Sequence, residues 1–247
     1  MFKNIIIEIE DMVKDNIMIN LIKKFKIFII DKNNSNLRNR IISSLILIPV
    51  AIYAIFFSMS LFILISLILV FLMTIEWGNI TQSASKKTNW QIFGFIYIIL
   101  PIYCAIKLRQ IDPFILLWMF FIIWTTDIFA YFFGKFLKGP KLAPKISPNK
   151  TWSGLLGGVI SCAVVGVISS FIFPGTLLFF ITISILLSII EQFGDLFESK
   201  IKRIFNVKDS GAIIPGHGGV IDRMDGMVFV APITYALVIL MPGNFIL

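Results

Sequence analysis

Apolar residues run along this chain in long, nearly unbroken blocks, not in the alternating or 3.6-residue patterns of half-buried strands and helices. Seven blocks stand out, at about 41–57, 60–75, 91–106, 113–133, 154–173, 176–193 and 227–245. Several lie near the short end of the ~17–25 residues that a spanning helix requires. The pattern predicts an all-α, polytopic integral membrane bundle of about seven spans, within a range of six to nine. Residues 1–36 mix apolar and charged positions without a clean period and read as an N-terminal cytosolic extension; 37–247 read as a membrane-embedded domain.

Composition supports the membrane class. The chain is 57% hydrophobic with a mean hydropathy of +0.91, beyond the roughly 45–50% apolar content of soluble domains. Its 15% of charged residues could not coat a soluble fold of 247 residues. A net charge of +8 could suggest nucleic acid, so the location of the charges decides. With the N-terminus in the cytosol, 20 of the 22 Lys and Arg fall on the cytosolic side, and Lys107 and Arg109 fall outside. That asymmetry is the positive-inside pattern. The charge is therefore a topology signal, and no nucleic-acid partner is expected. The predicted location is the cell (inner or plasma) membrane, multi-pass, with the polar site facing the cytosol. Cys104 and Cys162 fall inside apolar blocks and read as packing residues.

Carboxylates beside spanning helices change the picture further. At a helix centre each costs roughly 2.5–3.5 kcal/mol on insertion scales, so each needs a reason. Glu76 ends the second block, Asp127 lies two turns before the cytosolic end of the fourth, Glu191 and Asp195 end the sixth, and Asp222 and Asp225 precede the seventh. All lie toward the basic side of the membrane. Asp222 and Asp225, at i and i+3, share a helix face, as do Glu191, Asp195 and Glu198 at i, i+4 and i+7. Clusters rich in oxygen and poor in sulfur suit Mg²⁺. Taken alone, the Asp222–Asp225 pair would equally suit a solvated helix start placed on the macrodipole.

The segment before that pair weighs toward a site. Within 199–226 stand five basic side chains, three aspartates, five glycines and the only histidine. Gly216, Gly218 and Gly219 allow backbone N–H groups to converge on an anion, and the following helix adds its N-terminal dipole. Lys200, Lys202, Arg203, Lys208 and Arg223 supply enough charge to neutralise a polyphosphate. A second polar stretch, 141–158, brings Lys145, Ser147, Lys150 and Thr151 ahead of the fifth block; it also reads as a plain positive-inside loop with proline breakers. No Walker A motif, Ser-His-Asp set or Cys-His pair is present. The residues alone thus point to a phosphate cradle and a Mg²⁺ site at the membrane edge, suited to a nucleotide from the cytosol and an anionic lipid from the bilayer.

These motifs closely resemble the bacterial phosphatidate cytidylyltransferase (CDP-diacylglycerol synthase) family. The family signature runs here from Ser199 through Lys202, Arg203, Lys208, Asp209, Gly211, Pro215, His217, Gly218 and Gly219 to Asp222, Arg223 and Asp225. A further segment matches at Ser147, Pro148, Lys150, Thr151, Trp152 and Gly154, with Ser153 where an acidic residue is common. Another matches at Asp127, Ala130, Tyr131, Gly134 and Lys135, and the likeness spans about 37–247. The resemblance implies transfer of CMP from CTP to phosphatidic acid, a Mg²⁺ requirement, a homodimer, and metal ligation by Asp195, Asp222 and Asp225. Lys202 and Arg203 join these three as expected catalytic residues. Lys208, Asp209, His217, Gly218, Gly219, Arg223, Ser147, Lys150, Thr151, Asp127 and Tyr131 are expected to bind substrate. An ion-coupled transporter would carry acidic residues at mid-membrane and on both sides, contrary to the one-sided clustering. In another CDP-lipid phosphotransferase the motif would continue D-G-x-x-A-R, whereas Asp225-Gly226 is followed by Met227-Val228.

His217 is expected to orient a phosphate oxygen and not to act as a base, because a phosphomonoester with a second pKa near ~6 is already largely ionised at neutral pH. His217→Asn should then retain much of the activity, and His217→Ala should lose more. Activity measured against pH checks this: a wild-type limb near pH ~6.5 that is missing in equally inactive Asn and Ala variants would make His217 a base.

Overall fold

The computed structural model describes residues 45, 48–211 and 218–246. The chain divides into two compact units, Met1–Pro49 with Pro215–His217, and Val50–Ile214 with Gly218–Leu247. Nearly all of the first, including the expected boundary after residue 36, lies outside the described residues, as does His217. Among its described residues, the second unit carries six helices long and apolar enough to cross a membrane: α1 (Met59–Ile80), α2 (Lys87–Ile111), α3 (Pro113–Leu137), α4 (Trp152–Ser169), α5 (Leu177–Ile204) and α6 (Ile221–Leu240). The first expected block, 41–57, falls partly outside the described residues; 50–56 are helical. The architecture is the all-α polytopic bundle expected from the sequence.

Helix starts follow local chemistry at four of the six. Ser58 accepts the Leu61 N–H before α1, and Asp112 accepts the Phe114 N–H before α3, with Pro113 preset for the first turn. Thr151 caps α4 by accepting the Gly154 N–H, and Thr176 caps α5 by accepting that of Phe179. Each satisfies an orphan donor of the first turn. Helix α6 has no cap from its own segment.

Several helices extend beyond their apolar blocks. Helix α5 continues from the expected end at 193 to Ile204, and α6 begins at Ile221, ahead of the expected 227. Asp222 and Asp225 thus sit inside α6. The polar loop between α3 and α4 contains a two-stranded antiparallel hairpin, β1 (Lys141–Ala143) with β2 (Ser147–Thr151), pairing Lys141 with Thr151 and Ala143 with Ser147. Glycine at φ +101° lets Gly139 turn the chain from α3 into this hairpin.

Small residues bring α4 close to both neighbours. A Cβ on Gly154 would lie 2.6 Å from the Ala130 carbonyl of α3, and one on Gly166 would lie 2.6 Å from the Phe180 carbonyl of α5. Such close backbone approach is how membrane helices gain packing without a hydrophobic driving force. Between these contacts the buried Thr126 hydroxyl, Cys162 thiol and Ser188 hydroxyl interlock α3, α4 and α5. Outward faces carry bare Phe71, Phe136, Phe171 and Leu178, a surface that only lipid would tolerate.

The contacts sort by end. At one end Trp77 Nε1 of α1 donates to the Trp90 carbonyl of α2, Arg203 of α5 donates to the Ile146 carbonyl of the hairpin, and α3 meets α4 at Gly134 and Gly154. At the other, Phe245 packs on Trp118 and Phe180, and Arg109 donates to the Ala54 carbonyl. Cys104 and Cys162 are buried in the core, so introduced cysteines can be read against a quiet background. Cysteines at the exposed positions Lys141 and Lys208 should be labelled from one side of the membrane, the cytosolic side by the positive-inside rule, and one at Gln110 from the opposite side. Labelling of all three by an impermeant reagent from the same side of sealed vesicles would refute this topology.

Candidate active site

At the first of these ends a cavity of about 710 Å³ opens between α3, the hairpin, α4 and α5. Six of the sequence-predicted residues line it: Asp127 and Tyr131 of α3, Ser147, Lys150 and Thr151 of β2, and Asp195 of α5. Lys135, Lys138 and Lys141 line it too. From sequence, Lys138 and Lys141 count only as topology charge, and Lys135 only as part of a family motif. Gly134 and Gly154 are needed for its floor: a Cβ on Gly134 would lie 2.9 Å from the Thr151 hydroxyl. Thr151 itself is buried and spends its hydroxyl on the α4 cap, next to the Ser153 hydroxyl, which donates to the Lys138 carbonyl. Its role in the cavity is to shape the wall.

Lys150 and Asp195 form an ion pair at 2.6 Å, with 20% and 25% of their side chains exposed. Burial works to push the Lys150 pKa down, but the Asp195 and Glu191 carboxylates outweigh it and hold the ammonium above the ordinary lysine value. Lys150 is therefore a fixed cation throughout the neutral range. Glu191, 1% exposed, stands behind this pair, and neither of its oxygens meets a hydrogen-bond donor among the described residues. Asp127 lies beside it, within electrostatic reach of Asp195 and Lys150.

A second cluster forms where α5 ends and α6 begins. Lys202 Nζ lies 2.7 Å from Asp222 Oδ1 and 2.9 Å from Glu198 Oε1. Asp222 also accepts the Ser210 N–H at both oxygens and the Gly219 N–H at 3.1 Å. Gly218, at φ +84°, allows the turn that delivers this last donor. Asp225, one turn further along α6, accepts the Gly226 N–H and stands within electrostatic reach of Asp195, Asp127 and Glu198. It links the two clusters.

Other predicted residues are elsewhere. Arg203 is exposed and donates to the Ile146 and Val207 carbonyls, so it ties the hairpin to the end of α5. Lys208 and Asp209 are exposed on the segment after α5; Arg223, exposed on the first turn of α6, remains within electrostatic reach of Asp127 in the cavity. The reading from sequence missed Ser210, the pairing of Glu198 with Lys202, and the role of Glu76, which accepts donors from the start of α6. Glu76 carried a signal, as a charge ending an apolar block, but nothing in the sequence named its partners.

Among the described residues, no three His, Cys, Asp or Glu side chains converge as they stand into a group that could hold a metal ion. The donor chemistry nevertheless fits Mg²⁺. Every acidic group here offers hard oxygen ligands, and both oxygens of the buried Glu191 side chain are without a hydrogen-bond partner among the described residues.

Residues 86–241 match the model of the cytidylyltransferase family. The chain is 41% identical over 220 residues to a phosphatidate cytidylyltransferase of Rickettsia felis, covering 85% of this chain and 95% of that protein. It is 42% identical over 216 residues to the phosphatidate cytidylyltransferase of Rickettsia bellii, covering 83% and 92%. Over a shorter stretch of 160 residues it is 42% identical to that of Brucella abortus, covering 63% and 59%.

A raised lysine pKa sets the sign of a pH effect. The stability contributed by the Lys150–Asp195 pair is fully present below the unfolded-state value near 10.5 and is lost as pH rises through the higher folded-state value. The melting-temperature difference in detergent between the wild type and Lys150→Met should stay flat from about pH 7 to about pH 9.5 and narrow only above about pH 10.5. A difference that already closes between about pH 7 and pH 9 would mean that the pair does not carry it.

Proposed function

Because this chain belongs to the cytidylyltransferase family, we propose that it transfers CMP from CTP to phosphatidic acid, forming CDP-diacylglycerol and releasing diphosphate. The observation that carries the reading is the lysine-lined cavity bordered by carboxylates at one end of a membrane bundle. A water-soluble trianion or tetraanion and a lipid anion must meet there, and only a site at the membrane surface can receive both.

The lipid phosphate oxygen attacks the α-phosphorus of CTP, and the bond to the β,γ-diphosphate breaks. With a second pKa near ~6 the nucleophile needs no strong base. The barrier lies in bringing two polyanions together and in the charge that builds on the leaving diphosphate. Lys150 and Lys202 are the cations best fixed for that work, since each is held by carboxylates in a defined position. Lys135, Lys138 and Lys141 along the cavity wall draw the triphosphate in, and the Gly218–Gly219 turn holds Asp222 beside it through the Gly219 N–H. Asp127 and Tyr131 border the side from which the lipid enters. Arg203 acts by holding the hairpin, and through it Ser147 and Lys150, against α5. Mg²⁺, the proposed cofactor, would be held by Asp195, Asp222 and Asp225 and would supply further positive charge to the phosphates. The site faces the cytosol, where CTP is found, and the working unit is a homodimer.

Asp225→Asn keeps the size and most hydrogen bonds of the side chain but removes its charge. Purified in detergent with CTP, phosphatidic acid and saturating Mg²⁺, it should release diphosphate at least about a hundredfold more slowly than the wild type, with unchanged folding and insertion. Near-normal CTP-dependent diphosphate release would remove Asp225 from the site; absence of that activity in the wild type would remove the function itself.

A further inference from the structure

Helix α6 begins without a cap of its own: Val220, at the N-cap position, has helical angles and no side-chain hydrogen bond. Its first free N–H groups find their acceptor on a different helix. Glu76, in the last turn of α1 and 1% exposed, accepts the Val220 N–H at Oε1 and the Ile221 N–H at Oε2, both at 2.9 Å. The same Oε2 accepts the Ser210 hydroxyl at 3.0 Å. Three donors, one from Ser210 and two from the start of α6, thus converge on one buried carboxylate.

Ser210 passes the constraint on. Its N–H donates to both oxygens of Asp222, and its hydroxyl accepts the Asp222 N–H at 3.3 Å. The path is short: Glu76 holds the Ser210 hydroxyl, and Ser210 holds Asp222. Two glycines make room for it. A Cβ on Gly211 would lie 2.7 Å from Glu76 Oε1, and one on Gly219 would lie 2.9 Å from Oε2. A side chain at Gly211 would displace Glu76, and one at Gly219 would also collide with the Ser210 hydroxyl and the Gly211 backbone N.

We infer that Glu76 is a positioning residue that fixes the start of α6 and thereby the aim of Asp222, an assignment that rests on the proposed catalytic role of Asp222. Helix α1 meets lipid along most of its length, with Leu64, Leu67 and Phe71 exposed. Its polar attachment to the site is this carboxylate. A glutamine at position 76 cannot accept at both of its end atoms, so one of the two backbone donors would face an N–H₂ group. The start of α6 would loosen, and Asp222 with it.

The test uses the full chain in detergent micelles and compares wild type, Glu76→Gln, Ser210→Ala and the double variant. Glu76→Gln should lower kcat by about ten- to a hundredfold, the scale of small misplacements, with the KM for CTP within about twofold. Amide exchange in a peptide covering 218–226 should quicken, while exchange in α3 and α4 stays as in the wild type. The double variant should be little worse than Glu76→Gln, because both break the same path. Unchanged exchange at 218–226 would show that Glu76 does not hold the start of α6. Faster exchange with wild-type kcat would leave it a helix cap and no more. If Glu76→Gln fails to insert, Ser210→Ala alone decides, since it spares the Glu76 carboxylate: a lowered kcat at unchanged Tm is expected, and a wild-type kcat overturns the assignment. An active Asp222→Asn would instead overturn the role of Asp222, a result separable from the exchange measurement.

Discussion

Carboxylates at the membrane edge must each be matched by a donor or a cation, and the site end of this bundle is organised around that requirement. An uncompensated acid there costs several kcal/mol, comparable to a large part of a protein's net stability. Glu76 meets three donors, Asp222 meets an ammonium and two backbone N–H groups, and Asp195 meets Lys150. The partners come from α1, α5, α6, the hairpin and the segment after α5. Matching the charges therefore pulls into one place the pieces that apolar packing, which is non-directional, could not align. Glu191 is the exception, buried with no donor among the described residues. Its unpartnered oxygens lie beside the cavity where the chemistry is proposed, the place where a fold tolerates such a cost.

Helix length supplies the complementary constraint. At 1.5 Å per residue the 28 residues of α5 span about 42 Å, against a hydrocarbon core of roughly 30 Å. The excess emerges at the site end and carries Glu198 and Lys202 past the apolar layer. Helix α6 starts early by the same logic, with Asp222 in its first turn. Apolar blocks thus mark where a helix touches lipid, while the helix itself continues as a rigid post into the interface. Side chains on such posts are held more exactly than on loops, and Lys202 bridging Glu198 and Asp222 is the result.

That difference explains what could be read from the sequence. Block lengths indicate a membrane bundle, because lipid imposes a uniform rule on every span. The spacing of Asp222 and Asp225 indicates a shared face, because helical geometry is local. Lys150 and Asp195 lie on different elements 45 positions apart, and no local rule pairs them. Glu76 is a sharper case: its partners Val220 and Ile221 are 144 and 145 positions away, and its acceptance of backbone N–H groups leaves no side-chain partner to look for. Thr151 and Arg203 had the opposite fate. Their motif membership suggested substrate contact, whereas their polar atoms serve a helix cap and a carbonyl tether.

The lysines join topology to chemistry. Positive charge is retained on the cytosolic side during insertion, whatever the later use of the residues that carry it. Lys135, Lys138, Lys141 and Lys150 line the cavity and, in the proposed orientation, also satisfy that rule. In that orientation a substrate pair composed of phosphates makes the two demands coincide, since the face that keeps cations for topology is also the face where CTP arrives. The low-dielectric walls extend the reach of these cations beyond the roughly 8 Å over which salt would screen them in open water. Carboxylates then decide which lysines stay put. Lys150 and Lys202 are held in place by Asp195, Glu198 and Asp222, whereas Lys138 and Lys141 are exposed. The exposed ones suit capture of a mobile anion and the held ones suit alignment of reacting phosphates, so charge of one sign is divided by its partners into two tasks.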